Sequence, residues 1–248
     1  MKKILAVMMA LCLLVSCAAV FAEEKPVLTM GTHATFPPYE FVEDNQIVGI
    51  DAEVAAAIAD KLGMELEIVD MDFNALVAAV SSHKIDMAMA GMTVTEERLQ
   101  SVNFSTTYAL GVQVVIVKEG SPIQTLEDLS AEGAAYMIGV QEATTGDIYA
   151  TGEFGEARIS KFKNGNEAVS ALAAGKVDCV IIDNEPAKAY VEANEGLTIL
   201  ETAYAEEEYA IAIALDNLDL LEKINAALEE LIADGTVKGI VDKYIPAE

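Results

Sequence analysis

The chain has 248 residues, 41 Asp and Glu against 15 Lys and Arg, and a formal charge of −26. So acidic a surface excludes nucleic acid as a partner and opposes capture of any anion outside a locally basic site. For such a site Arg98 and Arg158 are the only fork-shaped cations the chain has.

Lys2 and Lys3 precede an apolar run at residues 4–15 and then small residues, the three-part pattern of a secretory leader. The leader is expected to span residues 1–22, ending at Ala22; Cys17, after Leu14-Val15-Ser16, is the alternative site, where it would carry a lipid, and an uncleaved anchor is a third reading. Export follows from the first two. Cleavage at Ala22 also removes Cys12 and Cys17, which leaves Cys179 as a core residue with no intrachain partner.

The rest alternates strands and helices, an α/β pattern. Val27–Thr32 reads as a strand, and the segment from Gly31 to Phe41 as a loop that Pro37 and Pro38 hold extended. Asp51 is expected to cap a helix running to Leu62 and stopping at Gly63. A strand at 66–69, a helix at 74–82 and a strand at 85–90 follow. That last apolar run stops at Gly91 and passes into Thr93, Thr95 and Arg98, as a buried strand does when it ends in a polar binding loop, here followed by a helical turn at 96–100.

Residues 108–118 form an apolar strand longer than one sheet needs, so a crossover is expected there. Past a helix at 126–129 and a strand at 137–140, the segment from Gln141 to Gly146 opens a helix whose free amides can receive a carboxylate. A helix at 186–193, a strand at 197–200 and a strand at 209–215 that carries the chain back come next. Helices at 218–234 and 236–244 close the chain, the first amphipathic through Leu221, Ile224, Leu228 and Leu231.

Residues 74–91 (NALVAAVSSHKIDMAMAG) align without a gap on residues 166–183 (NEAVSALAAGKVDCVIID). An α/β unit used twice predicts two lobes around one cleft, because open α/β sheets bind ligands outside the carboxyl ends of their strands. Arg98 then faces Asp183. A cation on one lobe and an anion on the other suit a zwitterion such as an α-amino acid. With no Gly/Ser linker, the lobes are expected to move as a hinge.

Seven pieces carry a resemblance: residues 31–41 (GTHATFPPYEF), 48–51 (VGID), 71–73 (MDF), 90–98 (AGMTVTEER), 103–105 (NFS), 139–145 (GVQEATT) and the strand end at Asp183. In this order they resemble the extracytoplasmic substrate-binding proteins of polar amino-acid ABC importers, solute-binding protein family 3. The resemblance implies a two-lobed type II periplasmic-binding-protein fold, with residues 23–108 and 209–248 in one lobe and 109–208 in the other. Each lobe would be a mixed sheet flanked by helices, joined by two crossover strands.

It further implies that Arg98 and the Thr93 amide hold an α-carboxylate, with the amides near Thr144 and Thr145 completing the cage. Asp183, the Ala90 carbonyl beside Gly91, and the Thr93 hydroxyl would take the α-ammonium. Phe36 and Phe73 would sandwich the ligand side chain, and His33 stands where many relatives carry an acid. The implied partner is the membrane permease of the importer, the protein is expected to be a monomer, and no cofactor or metal is called for.

The wall expected around the ligand side chain, His33, Phe36, Phe73, Gln141 and Ile182, holds no acid. Since a buried cation needs a partner, a neutral polar or sulfur-containing amino acid is expected, glutamine-like or cystine-like. Glu40 is the residue whose placement would reverse that expectation. With two histidines and no Gly-x-Ser-x-Gly, His-Glu-x-x-His, Cys-x-x-Cys or nucleotide loop, a catalytic centre is not readable. A dehydratase of the cyclohexadienyl or arogenate kind on the same scaffold is the alternative, and it would need Glu40 or Glu142 as general acid.

Overall fold

The computed structural model describes residues 25–201 and 203–246; the expected leader, with Cys12 and Cys17, lies outside them. The chain runs β1 (Val27–Thr32), β2 (Thr35–Phe36), β3 (Glu40–Glu43), β4 (Gln46–Val48), α1 (Ile50–Leu62), β5 (Glu65–Asp70), α2 (Phe73–Ser81) and β6 (Met87–Ala88). After a 3-10 turn at Arg98–Gln100 come β7 (Val102–Phe104), β8 (Ala109–Lys118), α3 (Leu126–Ser130), β9 (Ile138–Gln141), α4 (Thr145–Phe154) and β10 (Ile159–Phe162). The remainder is α5 (Gly165–Ala173), β11 (Cys179–Asp183), α6 (Asn184–Ala193), β12 (Leu197–Ile199), β13 (Ala205–Tyr209), β14 (Ala212–Ala214), α7 (Leu218–Ala233) and α8 (Thr236–Tyr244).

Two large sheets result, one per lobe, beside a small third sheet of β2, β3 and β4. The first has the order β5-β1-β6-β14-β7, with β1 parallel to β5 and β6 and with β14 antiparallel to β6 and β7. Its pleat sends Met30, Met87, Ile211 and Ile213 to one side, against Ile50, Val54 and Ile58 of α1 and Ile224 and Leu228 of α7. Ala88, Ala90 and Ala212 face the other side, against Leu76 and Val80 of α2. Helix α1 stops because Gly63 takes a left-handed φ of 68° and its N–H closes onto the Asp60 and Ala59 carbonyls.

The second sheet has the order β10-β9-β11-β8-β12, with β13 paired to β8. Every residue of β11 is buried, as expected of a strand covered on both faces. Val180 and Ile182 pack under α5 and α6, while Cys179 and Ile181 face Ile123, Leu129 and Val140. Cys179 is thus a core residue.

Several sequence expectations are corrected. Residues 209–215 do not make one strand: β13 ends at Tyr209, β14 starts at Ala212, and the two belong to different sheets. Their alternation is continuous in sequence, so only pairing partners decide the break: Tyr108 N–H donates to the Tyr209 carbonyl at 3.0 Å and Ser105 N–H to the Ile211 carbonyl at 2.9 Å. The proline loop is not simply extended but turns at the cis Pro37–Pro38 peptide into the small antiparallel sheet β2-β3-β4. Asp51 does not cap α1, whose N-cap is Gly49. Its carboxylate accepts from Gly91 N–H at 2.9 Å and Tyr108 Oη at 2.7 Å instead, tying the helix start to the binding loop.

Gly49 has φ 121°, and a Cβ there would lie 2.3 Å from the Tyr39 carbonyl oxygen, which is backbone and cannot swing aside. Gly49→Ala should therefore destabilise the protein by about 3 kcal/mol, measured as a lower urea midpoint at unchanged m-value.

Candidate functional site

The carboxyl ends of β1 and β6 face those of β9 and β11 across one cavity of about 430 Å³, its mouth included. His33, Phe36, Phe73, Ala90, Gly91, Thr93 and Arg98 line it from the first lobe, and Gln141, Thr144, Thr145, Ile182 and Asp183 from the second. The structure thus brings the residues expected to touch the ligand to one place. Glu40 also lines it, together with Gln113, Glu207 and Tyr209, which no motif signalled. Glu142 lies outside, near the rim, accepting from Asn74 Nδ2 at 3.3 Å.

Arg98 leaves its 3-10 turn buried, 7% exposed, with its guanidinium 5.4 Å from the centre of the Phe73 ring. One nitrogen donates to the Thr93 carbonyl at 2.7 Å and another crosses the cleft to the Ala143 carbonyl at 3.1 Å. No carboxylate is among these partners. Thr93 sits opposite Tyr209 in an isolated bridge whose hydrogen bonds come from Val94 N–H and Ala210 N–H, so the Thr93 amide takes no part in it. Across the cleft Thr144 caps α4, accepting from Asp147 N–H, and the Thr145 and Gly146 amides of the first turn lack helical partners. Arg98 and that helix start form one anion-accepting end.

Asp183 forms the other pole. It caps α6, accepting from Glu185 N–H at 3.1 Å, while its second oxygen accepts from Val112 N–H at 2.9 Å and Tyr209 Oη at 2.7 Å. Burial nevertheless outweighs those donors and pushes its carboxyl up to about 7. Burial likewise raises Asp51 to about 6, and burial with Asp51 beside it holds Glu40 well above the usual carboxylate range.

Several polar atoms are aimed inward without partners. Glu207 accepts from Thr93 Oγ1 at 3.0 Å and Gln113 Nε2 at 3.1 Å through one oxygen, and its other oxygen, like the Gln113 oxygen and one Glu40 oxygen, is buried and unpartnered. His33 Nδ1 lies 2.9 Å from the Met71 carbonyl and so carries the proton there, leaving Nε2 buried and unpartnered. Glu207 carries no sequence signal because it sits in an acidic run, Glu206 to Glu208, that reads as solvated surface.

Two α/β lobes that set a buried guanidinium and a buried carboxyl in the wall of one shared cavity define a small-molecule binding protein of the two-lobed kind. Residues 28–247 match the bacterial extracellular solute-binding proteins, family 3, and the chain belongs to that family. It is 33% identical to the arginine-binding extracellular protein ArtP of Bacillus subtilis, over 100% of both chains. To the ABC transporter arginine-binding protein 1 of Escherichia coli it is 30% identical, over 88% of this chain and 90% of that one. Among solved structures, an ancestral arginine-binding protein bound to glutamine is 41% identical with a TM-score of 0.83, covering 91% of this chain and 100% of the other. Among the described residues, no helix is long and apolar enough to cross a membrane.

Asp183 and Asp51 have their carboxyls raised by folding, so both take up protons as the chain folds. Each therefore opposes folding once the pH exceeds the ordinary carboxylate value of about 4, by up to about 1.4 kcal/mol per pH unit until the raised value is passed. The free protein should gain stability as pH falls from 8 to 6, and Asp183→Asn should flatten that gain, read as melting temperature against pH.

Proposed function

We propose that this protein captures a free L-amino acid between its lobes, with arginine favoured, and delivers it to the permease of an ABC importer by lobe closure. The observation that carries the reading is that Arg98 from one lobe and Asp183 from the other, both buried, line the same cavity. In it, Arg98, the Thr93 amide and the α4 amide at Thr145, next to the Thr144 cap, hold the α-carboxylate. Asp183, the Ala90 carbonyl beside Gly91 and the Thr93 hydroxyl take the α-ammonium. Thr93 fits that role, since its hydroxyl proton is engaged by Glu207 and its lone pairs are left to accept. Phe36 and Phe73 flank the side chain, with His33 and Gln141 as neutral hydrogen-bonding groups.

Arginine is favoured over the neutral ligand expected from sequence because the wall is not free of acid. Glu40 and Glu207 both line the cavity with unpartnered oxygens. Against the one cation, Arg98, the carboxyls of Glu207 and Asp183 are in surplus, and a ligand that sets an extra positive charge beside Glu40 favours ionisation of that buried carboxyl too, which a neutral ligand does not. The names of the relatives support the same reading.

Closure fits the contacts that bridge the lobes: Arg98 to Ala143, Asn74 to Glu142, and Tyr190 Oη donating to the Thr35 carbonyl at 2.7 Å. Residues 23–108 with 209–248 move against 109–208 in this reading, and a leader ending at Ala22, or a lipid on Cys17, places the protein outside the cell membrane.

Calorimetry at pH 7.5 tests the ligand. Arginine should bind more tightly than glutamine or cystine, and Glu40→Gln should narrow that margin. Glutamine binding tightest would restore the neutral reading. Arg98→Ala should weaken every amino acid by about 30-fold to several thousand-fold, the consequence of stranding a desolvated carboxylate at roughly 2 to 5 kcal/mol.

A further inference from the structure

Strand β13 presents Glu207 and Tyr209, two residues apart and so on one face, to the cavity. Glu207 takes the Thr93 hydroxyl proton, and Tyr209, 1% exposed, donates its own to Asp183 at 2.7 Å. Of the three groups assigned above to the ammonium, the two side chains, Thr93 and Asp183, are thus each held by a side chain of β13. Tyr209 is itself fixed on three sides. Its ring meets Tyr39 edge-on at 5.2 Å between centres, its backbone lies opposite Thr93, and its carbonyl accepts from Tyr108 N–H.

The neighbouring strand makes room for the contact. At Gly111 of β8 a Cβ would come within 2.4 Å of Tyr209 Oη and 2.8 Å of the Asp183 oxygen. A glycine at that point has ordinary backbone geometry, with no positive φ to demand it, so the space is what the missing side chain provides.

We propose that Tyr209 is a positioning residue for ammonium recognition, aiming the Asp183 carboxylate at the cavity and favouring its ionised form. The inference rests on the amino-acid reading above. The side chains that face Asp183 are acids and phenols: Glu207 and Tyr209 from β13, and Tyr39 and Glu40 from the small sheet and its turn; Glu185 of α6 meets it through its backbone N–H. Among the described residues no cation forms an ion pair with Asp183, so the ionised form depends on three hydrogen-bond donors, and Tyr209 is the only side chain of the three. A hydrogen bond to a charged group is worth enough that losing it weakens binding about tenfold or more.

The test compares L-arginine with its analogue lacking the α-amino group, 5-guanidinopentanoic acid, by calorimetry between pH 5.5 and 8.5. Tyr209→Phe should weaken arginine about tenfold while leaving the analogue within about twofold, and should move upward the pH below which arginine binding declines. Gly111→Ala, which keeps the phenol but fills its space, should give the same pattern. Neither should add a loss in an Asp183→Asn background, as expected of groups acting through one carboxylate. Equal losses for arginine and analogue, or arginine affinity within twofold of the parent with an unmoved pH profile, would overturn the proposal. If the parent binds arginine and Asp183→Asn weakens it while Tyr209→Phe does not, this inference alone fails; a parent that binds no amino acid overturns both.

Discussion

A guanidinium held out of water without a carboxylate is the constraint on which the rest of this structure depends. Arg98 is buried, yet its hydrogen-bond partners are two backbone carbonyls, Thr93 and Ala143, with the Phe73 ring beneath. Dipoles and a ring face satisfy its geometry without neutralising its charge, which keeps it available to an incoming anion. The same holds at the opposite pole, where Asp183 is met by an amide, a capping amide and a phenol but by no cation. Opposite charges buried apart cost stability, and natural sites accept that cost where function needs the groups ready.

Behind the charges stands a layer that only holds things in place. Asp51 is fully buried and receives Gly91 N–H and Tyr108 Oη, so it fixes the binding loop to both the first helix and the start of the crossing strand. Gly91 itself has φ 51°, with Phe36 and Tyr209 atoms 3.1 and 3.3 Å from where its Cβ would be. A side chain there would be strained in backbone and crowded in space at once. The loop's anchoring through Asp51 and Tyr108 is therefore set by groups outside the cavity lining.

How much of this was readable in the sequence depended on how local each signal was. The duplicated helix-strand unit, the run ending at Gly91 and Arg98, and the helix stop at Gly63 are local patterns, and each appears where it was expected. Asp51 was read as a cap because an acid at a helix start usually is one; its real partners lie 40 and 57 residues away. The break between β13 and β14 and the inward turn of Glu207 and Tyr209 come from strand pairing across the two lobes, which a continuous alternation of apolar residues does not encode. Glu40 shows the same limit from the other side. Its position in a motif was plain, but whether its carboxyl faced solvent or the cavity was settled by the turn at Pro37 and Pro38.

The bond from Tyr190 to the Thr35 carbonyl spans the lobes using nothing but the protein's own atoms. If the lobes close as proposed, part of the free energy of shutting the cleft is independent of what is inside it. Apparent affinity is the intrinsic affinity scaled by the fraction of molecules in the binding-ready shape. Selection could thus retune how tightly this protein holds its cargo by substitutions at a latch on the cleft's edge, leaving the chemistry of recognition, and with it the choice of cargo, untouched.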